Sequence, residues 1–338
     1  MREILLPTGE KIETAKLHRD LGPVEVHPEN CPTLAFRCLM PKRFKPVEPP
    51  EPASPEGKLP LITLASFEDA ATHSGIIVQK QALPREISAD HWLRLCAMQT
   101  SRQIEVLANV SPYFADSKVS FTVENTLYAA RFAIQISGGD AIILMGFAPY
   151  NSYPDMADEF GMFLATWKLL TPPSQPTVEP WDKISLGKVR FSMPSSWKKT
   201  PPGPQPPADG EAVTFANFDD NGELNGILRV ATGKTHCDPV DEGLSFLLSM
   251  NLKVDFILAE NDLKVSSELG GTAYLKRLVL GGPAAPEGGF EGWIIGLNGV
   301  SGWISLTLLT PPESNDERFH VWAFNRRALG IVCETIQN

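Results

Sequence analysis

Two stretches of this 338-residue chain repeat one short pattern: FRCLMPKRFKPV at residues 36–47 and VRFSMPSSWKKTP at 189–201. Each runs a short apolar strand into Met-Pro, passes two residues, and places an aromatic before a lysine, Phe44-Lys45 in the first and Trp197-Lys198 in the second. Single hydrophobic cores stop growing near about 250–300 residues. A pattern that occurs twice in a chain of this length therefore predicts two similar domains, each with its own core.

The similarity extends downstream. LITLASFEDAATHSGIIVQK (61–80) lies against AVTFANFDDNGELNGILRVA (212–231) without a gap, setting Phe67 against Phe218 and Gly75 against Gly226. Alternation of Ile62 and Leu64, and of Val213 and Phe215, gives each first run one buried face, and the polar residues between runs predict a hairpin. NTLYAARFAIQI from Asn125 parallels GTAYLKRLVL from Gly271, setting Tyr128 and Arg131 against Tyr274 and Arg277. AIILMGFAP and WISLTLLTP then precede closing segments with helical spacing. An earlier helix is expected after Ser88 and after Asp238, both suited to an N-cap, with Pro239 where a first turn tolerates proline.

Each half thus reads strand, Pro-rich loop, hairpin, helix, several strands, terminal helix. That order predicts an α+β fold in which an antiparallel β-sheet is packed with helices. The prolines of TPPSQPTVEPWDK favour an extended spacer. The expected division is an N-terminal extension at 1–30, a first domain at 31–170, a Pro-rich linker at 171–183 and a second domain at 184–338.

The entry Phe191-Ser192-Met193-Pro194-Ser195-Ser196-Trp197, with Ala-Pro or Thr-Pro before a final helix, resembles the PsbP-like fold in its bacterial DcrB-like version. The resemblance covers most of both halves and departs from the family in carrying the usual single domain twice, as tandem PsbP-like domains. It implies a non-enzymatic function: a protein-binding adaptor or chaperone, similar to those encoded beside type VI secretion effectors, which cradle apolar helices. The implied partner is another protein, a secreted effector with apolar helices, and fusion of two domains supplies a monomeric pseudo-dimer because it raises the local concentration of one half around the other.

Composition excludes several other classes. A formal charge of −10 argues against nucleic-acid binding, which needs clustered Lys and Arg. The N-terminal residues MREILLPTGEKIETAKLHRD mix charged and apolar positions too closely for a signal-peptide core. The longest apolar runs reach about half the roughly 20 residues of a membrane span. Five cysteines without close pairing read as reduced, mostly buried thiols, and a cytoplasmic location is expected.

The familiar catalytic and phosphate-binding motifs do not occur. GVSG at 299–302 falls one residue short of a nucleophile elbow and reads as a turn. Asn217, Asp219 and Asn221 resemble the start of a calcium loop, but the twelfth position is Leu228, so an Asn-Gly hairpin turn is the stronger reading. The paired acids Glu68-Asp69 and Asp219-Asp220 read as solvated turns, and no metal or cofactor is expected. Aromatics are the protein-binding candidates: Phe67 and Phe218 at matching strand ends, and Trp293 and Trp303 flanking GLNGVSG, where an exposed sheet face would offer a docking site. Core packing competes with that reading at each position. The alternative function is a hydrolase or small-ligand-binding enzyme whose residues converge only in three dimensions.

Overall fold

The computed structural model describes residues 6, 19–48, 60–108, 111–173, 176–201, 210–234, 237–263, 272–283, 285–286, 288–299 and 302–337. They divide into two units, residues 1–84 with 88–178, and residues 85–87 with 179–338. The Pro-rich loops at 49–59 and 202–209 lie outside the described residues.

In the first unit, strand β1 (Leu21–Val26) pairs antiparallel with β2 (Phe36–Pro41). Strands β3 (Lys45–Pro46), β4 (Leu61–Asp69) and β5 (Ser74–Ala82) lead to helix α1 (Ala89–Gln99). A meander of β6 (Gln103–Ala108), β7 (Phe114–Val123), β8 (Thr126–Ser137) and β9 (Asp140–Pro149) follows, then α2 (Tyr153–Thr166) and β10 (Lys168–Leu169) against β2. The seven-stranded sheet has the order β3-β4-β5-β9-β8-β7-β6. Glu124 and Asn125 both take positive φ between β7 and β8, as a two-residue hairpin turn requires. The core joins Phe36, Cys38 and Met40 of β2 to Ile142 and Leu144 of β9 and to Phe160 and Phe163 of α2.

The second unit repeats the sequence of elements. It runs β11 (Trp181–Leu186), β12 (Val189–Pro194), β13 (Lys198–Lys199), β14 (Gly210–Phe218) and β15 (Leu224–Gly233), then α3 (Pro239–Ser249). After it come β16 (Lys253–Leu263), β17 (Thr272–Gly281), β18 (Phe290–Gly299), β19 (Gly302–Thr310) and α4 (Phe319–Thr335). The sheet order, β13-β14-β15-β19-β18-β17-β16, is that of the first unit. The described residues are therefore α+β, with two large antiparallel sheets of seven strands and four α-helices among them.

The Met-Pro pattern has a packing cause. Strands β2 and β12 share one burial pattern, with Phe36, Cys38 and Met40 inside in the first and Val189, Phe191 and Met193 inside in the second. The aromatics that follow, Phe44 and Trp197, are both buried. Each strand is also fastened from the terminal helix. Thr166 Oγ1 accepts from Leu39 N and donates to Met162 O, while Thr335 Oγ1 accepts from Ser192 N and donates to Ile331 O.

Five expectations need correction. The extension at 1–30 contains β1, whose Leu21 pairs with Pro41 as Trp181 pairs with Pro194. A two-residue turn joins β11 to β12, whereas a loop with a 3-10 turn at Pro32–Leu34 joins β1 to β2, so the homologous strands look unrelated in sequence. The linker likewise ends early, since Trp181 already opens β11.

The gapless hairpin alignment fails for a similar reason. Pro46 pairs with Phe67 and Lys199 with Phe215, so the counterpart of Phe67 is Phe215 rather than Phe218. A bulge at Asn217/Phe218 and a longer turn absorb the difference. The Tyr-x-x-Arg match is also local only, because Arg131 lies on β8, next to β9, whereas Arg277 lies on β17, with β18 between it and β19. Of the two proposed N-caps, Asp238 accepts from Val240 N at 2.8 Å. Ser88 instead binds the side chains of Asp90 and His91.

Candidate functional site

Three of the four aromatics singled out by sequence are inside. Phe67 is 6% exposed, Trp293 9% and Trp303 2%, so they do not form an open docking face. The alternation of each strand turns them inward, with Phe67 joining the β2–α2 core and Trp303 lying against Gly233, where a Cβ would come within 2.5 Å of the indole. Only Phe218 is exposed, at 37%, beyond the bulge that ends β14.

Trp293 belongs to a closed polar cluster. Cross-strand pairing puts Arg277 of β17 opposite Trp293 of β18. Glu291, buried two residues earlier, accepts from the indole N–H of Trp293, from Trp322 Nε1 at 2.8 Å, from an Arg277 terminal nitrogen at 2.7 Å and from Glu313 N at 3.3 Å. Arg277 also donates to Glu313, and the Arg326 guanidinium lies 3.5 Å from the Trp293 ring centroid. Burial pushes the Arg326 guanidinium down to about 10, which leaves it cationic at neutral pH. A carboxylate has about four acceptor positions. Those of Glu291 are filled, so it anchors two indoles and an arginine and has no free lone pair for a substrate proton.

The first unit carries a comparable charge pair with the strands exchanged. Arg131 of β8 binds Asp116 of β7, both nearly inaccessible, and Lys118 lies 2.8 Å from Glu105. Burial pushes the Tyr153 hydroxyl beside them upward. These are packed ion pairs in the sheet, where removing one partner strands a buried charge.

The turn that resembles a calcium loop uses its own acid. Asp219 Oδ1 accepts from Asn221 N and Glu223 N, and Gly222 takes a φ of +83°. Among the described residues no group of three or more His, Cys, Asp or Glu side chains could hold a metal. No helix among them is long and apolar enough to cross a membrane.

The feature that sequence reasoning missed is at the far edge of the second sheet. β16 is its terminal strand, paired only with β17. Val254, Phe256, Ile257 and Leu258 are 38 to 55% exposed, and Leu248 at the end of α3 is 52% exposed. Beside them a cavity of about 490 Å³ is lined by Leu248, Asn251, Leu252, Lys253 and Pro283. Bulges at Val254/Phe256 and Ile257/Ala259 bend the strand, so consecutive apolar side chains remain in solvent instead of alternating into the core. The segment KVDFILAEND carries no sequence motif that marks it as an edge strand. Only the sheet order reveals that nothing in the described chain lies beyond it. In the first unit the equivalent edge strand β6 is shorter and half-buried along most of its length.

No protein-family model matches this chain, and no curated protein matches it. Solved structures similar to parts of it include the cyanobacterial PsbP of Synechocystis sp. PCC 6803, at 9% identity and a TM-score of 0.32, over 44% of this chain and 92% of that one. The Ran-binding protein Mog1p of Saccharomyces cerevisiae matches at 9% identity and a TM-score of 0.33, over 47% and 95%. The immunity protein TplEi of the type VI secretion system of Pseudomonas aeruginosa matches at 10% identity and a TM-score of 0.21, over 82% and 96%. At these scores the likeness decides no activity.

Proposed function

We propose that this chain is a protein-binding module of the adaptor or chaperone type, non-enzymatic, that engages apolar segments of its partner at the β16 edge. The observation that carries the reading is the exposed run from Val254 to Leu258 on a terminal strand. Soluble proteins normally manage such an edge with charge, proline, bulges or a covering element. β16 carries two bulges and the charges of Lys253, Asp255 and Glu260, yet still leaves Val254, Phe256, Ile257 and Leu258 exposed beside unpaired backbone groups, which can template association with another chain. The satisfied state of Glu291 removes one deeply buried carboxylate from the alternative, enzymatic reading.

The finer identity rests on the sequence resemblance: a DcrB-like version of the PsbP-like fold, and a type VI secretion effector with apolar helices as the shielded partner. Co-expression with such an effector tests it. The wild-type chain should keep the effector soluble and co-purify with it, Phe256→Asp should lose most of that recovery, and Leu127→Asp, at an exposed site of the first unit, should retain it. Equal recovery by both variants would reject docking at β16.

A further inference from the structure

Resting on that docking reading, we infer that β16 takes up an extended segment of its partner as an added antiparallel strand, and that this segment is apolar with lysine or arginine toward its N-terminal end. Strand addition uses the outward backbone groups of an edge for affinity and alternate side chains for specificity. The edge of β16 offers the outward backbone groups in a strand running from Lys253 to Leu263, and its bulges expose Phe256, Ile257 and Leu258 in succession to the side chains of an added strand.

The charges on that edge set the direction and composition of the occupant. Exposed Lys253 has no ion pair among the described residues, and neither does exposed Asp255, which lies against the backbone of Gly281. Glu260 holds Lys276 at 3.1 Å yet remains 60% exposed. A segment antiparallel to β16 meets Glu260 first, then the apolar stretch, then Asp255, and finally Lys253. Matching it requires a cation at the start, apolar residues through the middle, a second cation opposite Asp255 and an acid at the end. Like charges directly opposite would be destabilising. The cavity beside Leu248, Leu252 and Lys253 then receives an apolar side chain near the segment's C-terminal end.

A second copy of this chain suits the edge less well. Each molecule carries a net charge of −10, so pairing two brings like fields together. Two rigid bulged strands would also have to match their bends, whereas an extended peptide can follow them.

Three labelled peptides, added to the intact full-length chain, test the inference by fluorescence anisotropy. One has lysines at the positions facing Glu260 and Asp255, a Val-Ile centre and a glutamate facing Lys253. The second has all charges inverted, and the third is the first with proline at its middle. The first should bind. The second should bind at least about tenfold more weakly at low salt, with the gap closing as salt screens exposed charges, and the third should lose binding because it cannot pair. The double variant Asp255→Lys, Glu260→Lys should reverse the preference between the first two. If both charge patterns bind equally to either chain, the partner chemistry is wrong while docking stands. A tolerated proline overturns strand addition. If no peptide binds and sedimentation shows a dimer abolished by Phe256→Asp, the occupant is a second copy. If no peptide binds and no dimer forms, the docking reading itself falls.

Discussion

Thr166 and Thr335 each spend one hydroxyl on two backbone groups, one in their own helix and one in a strand of the same unit. The amides of Leu39 and Ser192 would otherwise face a helix with no acceptor. Leaving a buried donor unmade costs about 1–3 kcal/mol, and the half-buried position of Thr335 favours the lower end of that range. Thr335→Val keeps the shape and removes the acceptor. It should lower stability by about 1 kcal/mol in urea unfolding, and Thr335→Ser should recover most of the loss. An unchanged midpoint for the valine variant would mean that Ser192 N finds another acceptor. Neither threonine was legible as a clasp, since a lone Thr near a helix end carries no sequence signal of the strand amide it meets.

At the scale of elements, the two units solve one packing problem with different volumes. Gly146 of β9 lies under Phe160 of α2, where a Cβ would come within 2.3 Å of the ring. The registers place Gly146 opposite Ile76 and Leu308 opposite Leu228, which makes Leu308 the counterpart of Gly146. Counting back from the clasping threonines, Leu329 of α4 is the counterpart of Phe160, and Leu308 and Leu329 are both buried. A small-large pair in one unit thus becomes two medium residues in the other. Gly146→Leu should cost at least about 1–3 kcal/mol by overpacking. Combined with Phe160→Leu it should recover part of that, giving a coupling of at least about 1 kcal/mol in a double-mutant cycle. Strict additivity would show that the two positions are not one packing site. Such exchanges also limit what sequence shows. The β2 and β12 strands, the hairpins and the helices could be read because burial repeats there residue by residue. The Tyr-x-x-Arg match misled because it aligned β8 with β17, and β1 went unseen because its connection differs in length from its counterpart's.

For the whole molecule, the acidic balance and the bare edge of β16 act against each other. A charge of −10 at neutral pH keeps copies apart, while Val254, Phe256, Ile257 and Leu258 provide an apolar surface on which they could meet. Lowering the pH toward the isoelectric point near 5.2 removes the repulsion and leaves the apolar surface in place. Wild-type protein should therefore remain dispersed at pH 7.5 and associate near pH 5.2, as measured by light scattering at fixed ionic strength. Phe256→Ser with Ile257→Ser alters no charge and leaves the isoelectric point where it was, so it isolates the edge from the overall field. If β16 is the surface through which copies meet, the double variant should scatter much less than wild type at pH 5.2, with both equally quiet at pH 7.5. Equal association of the two proteins at pH 5.2 would place the adhesive surface elsewhere than β16.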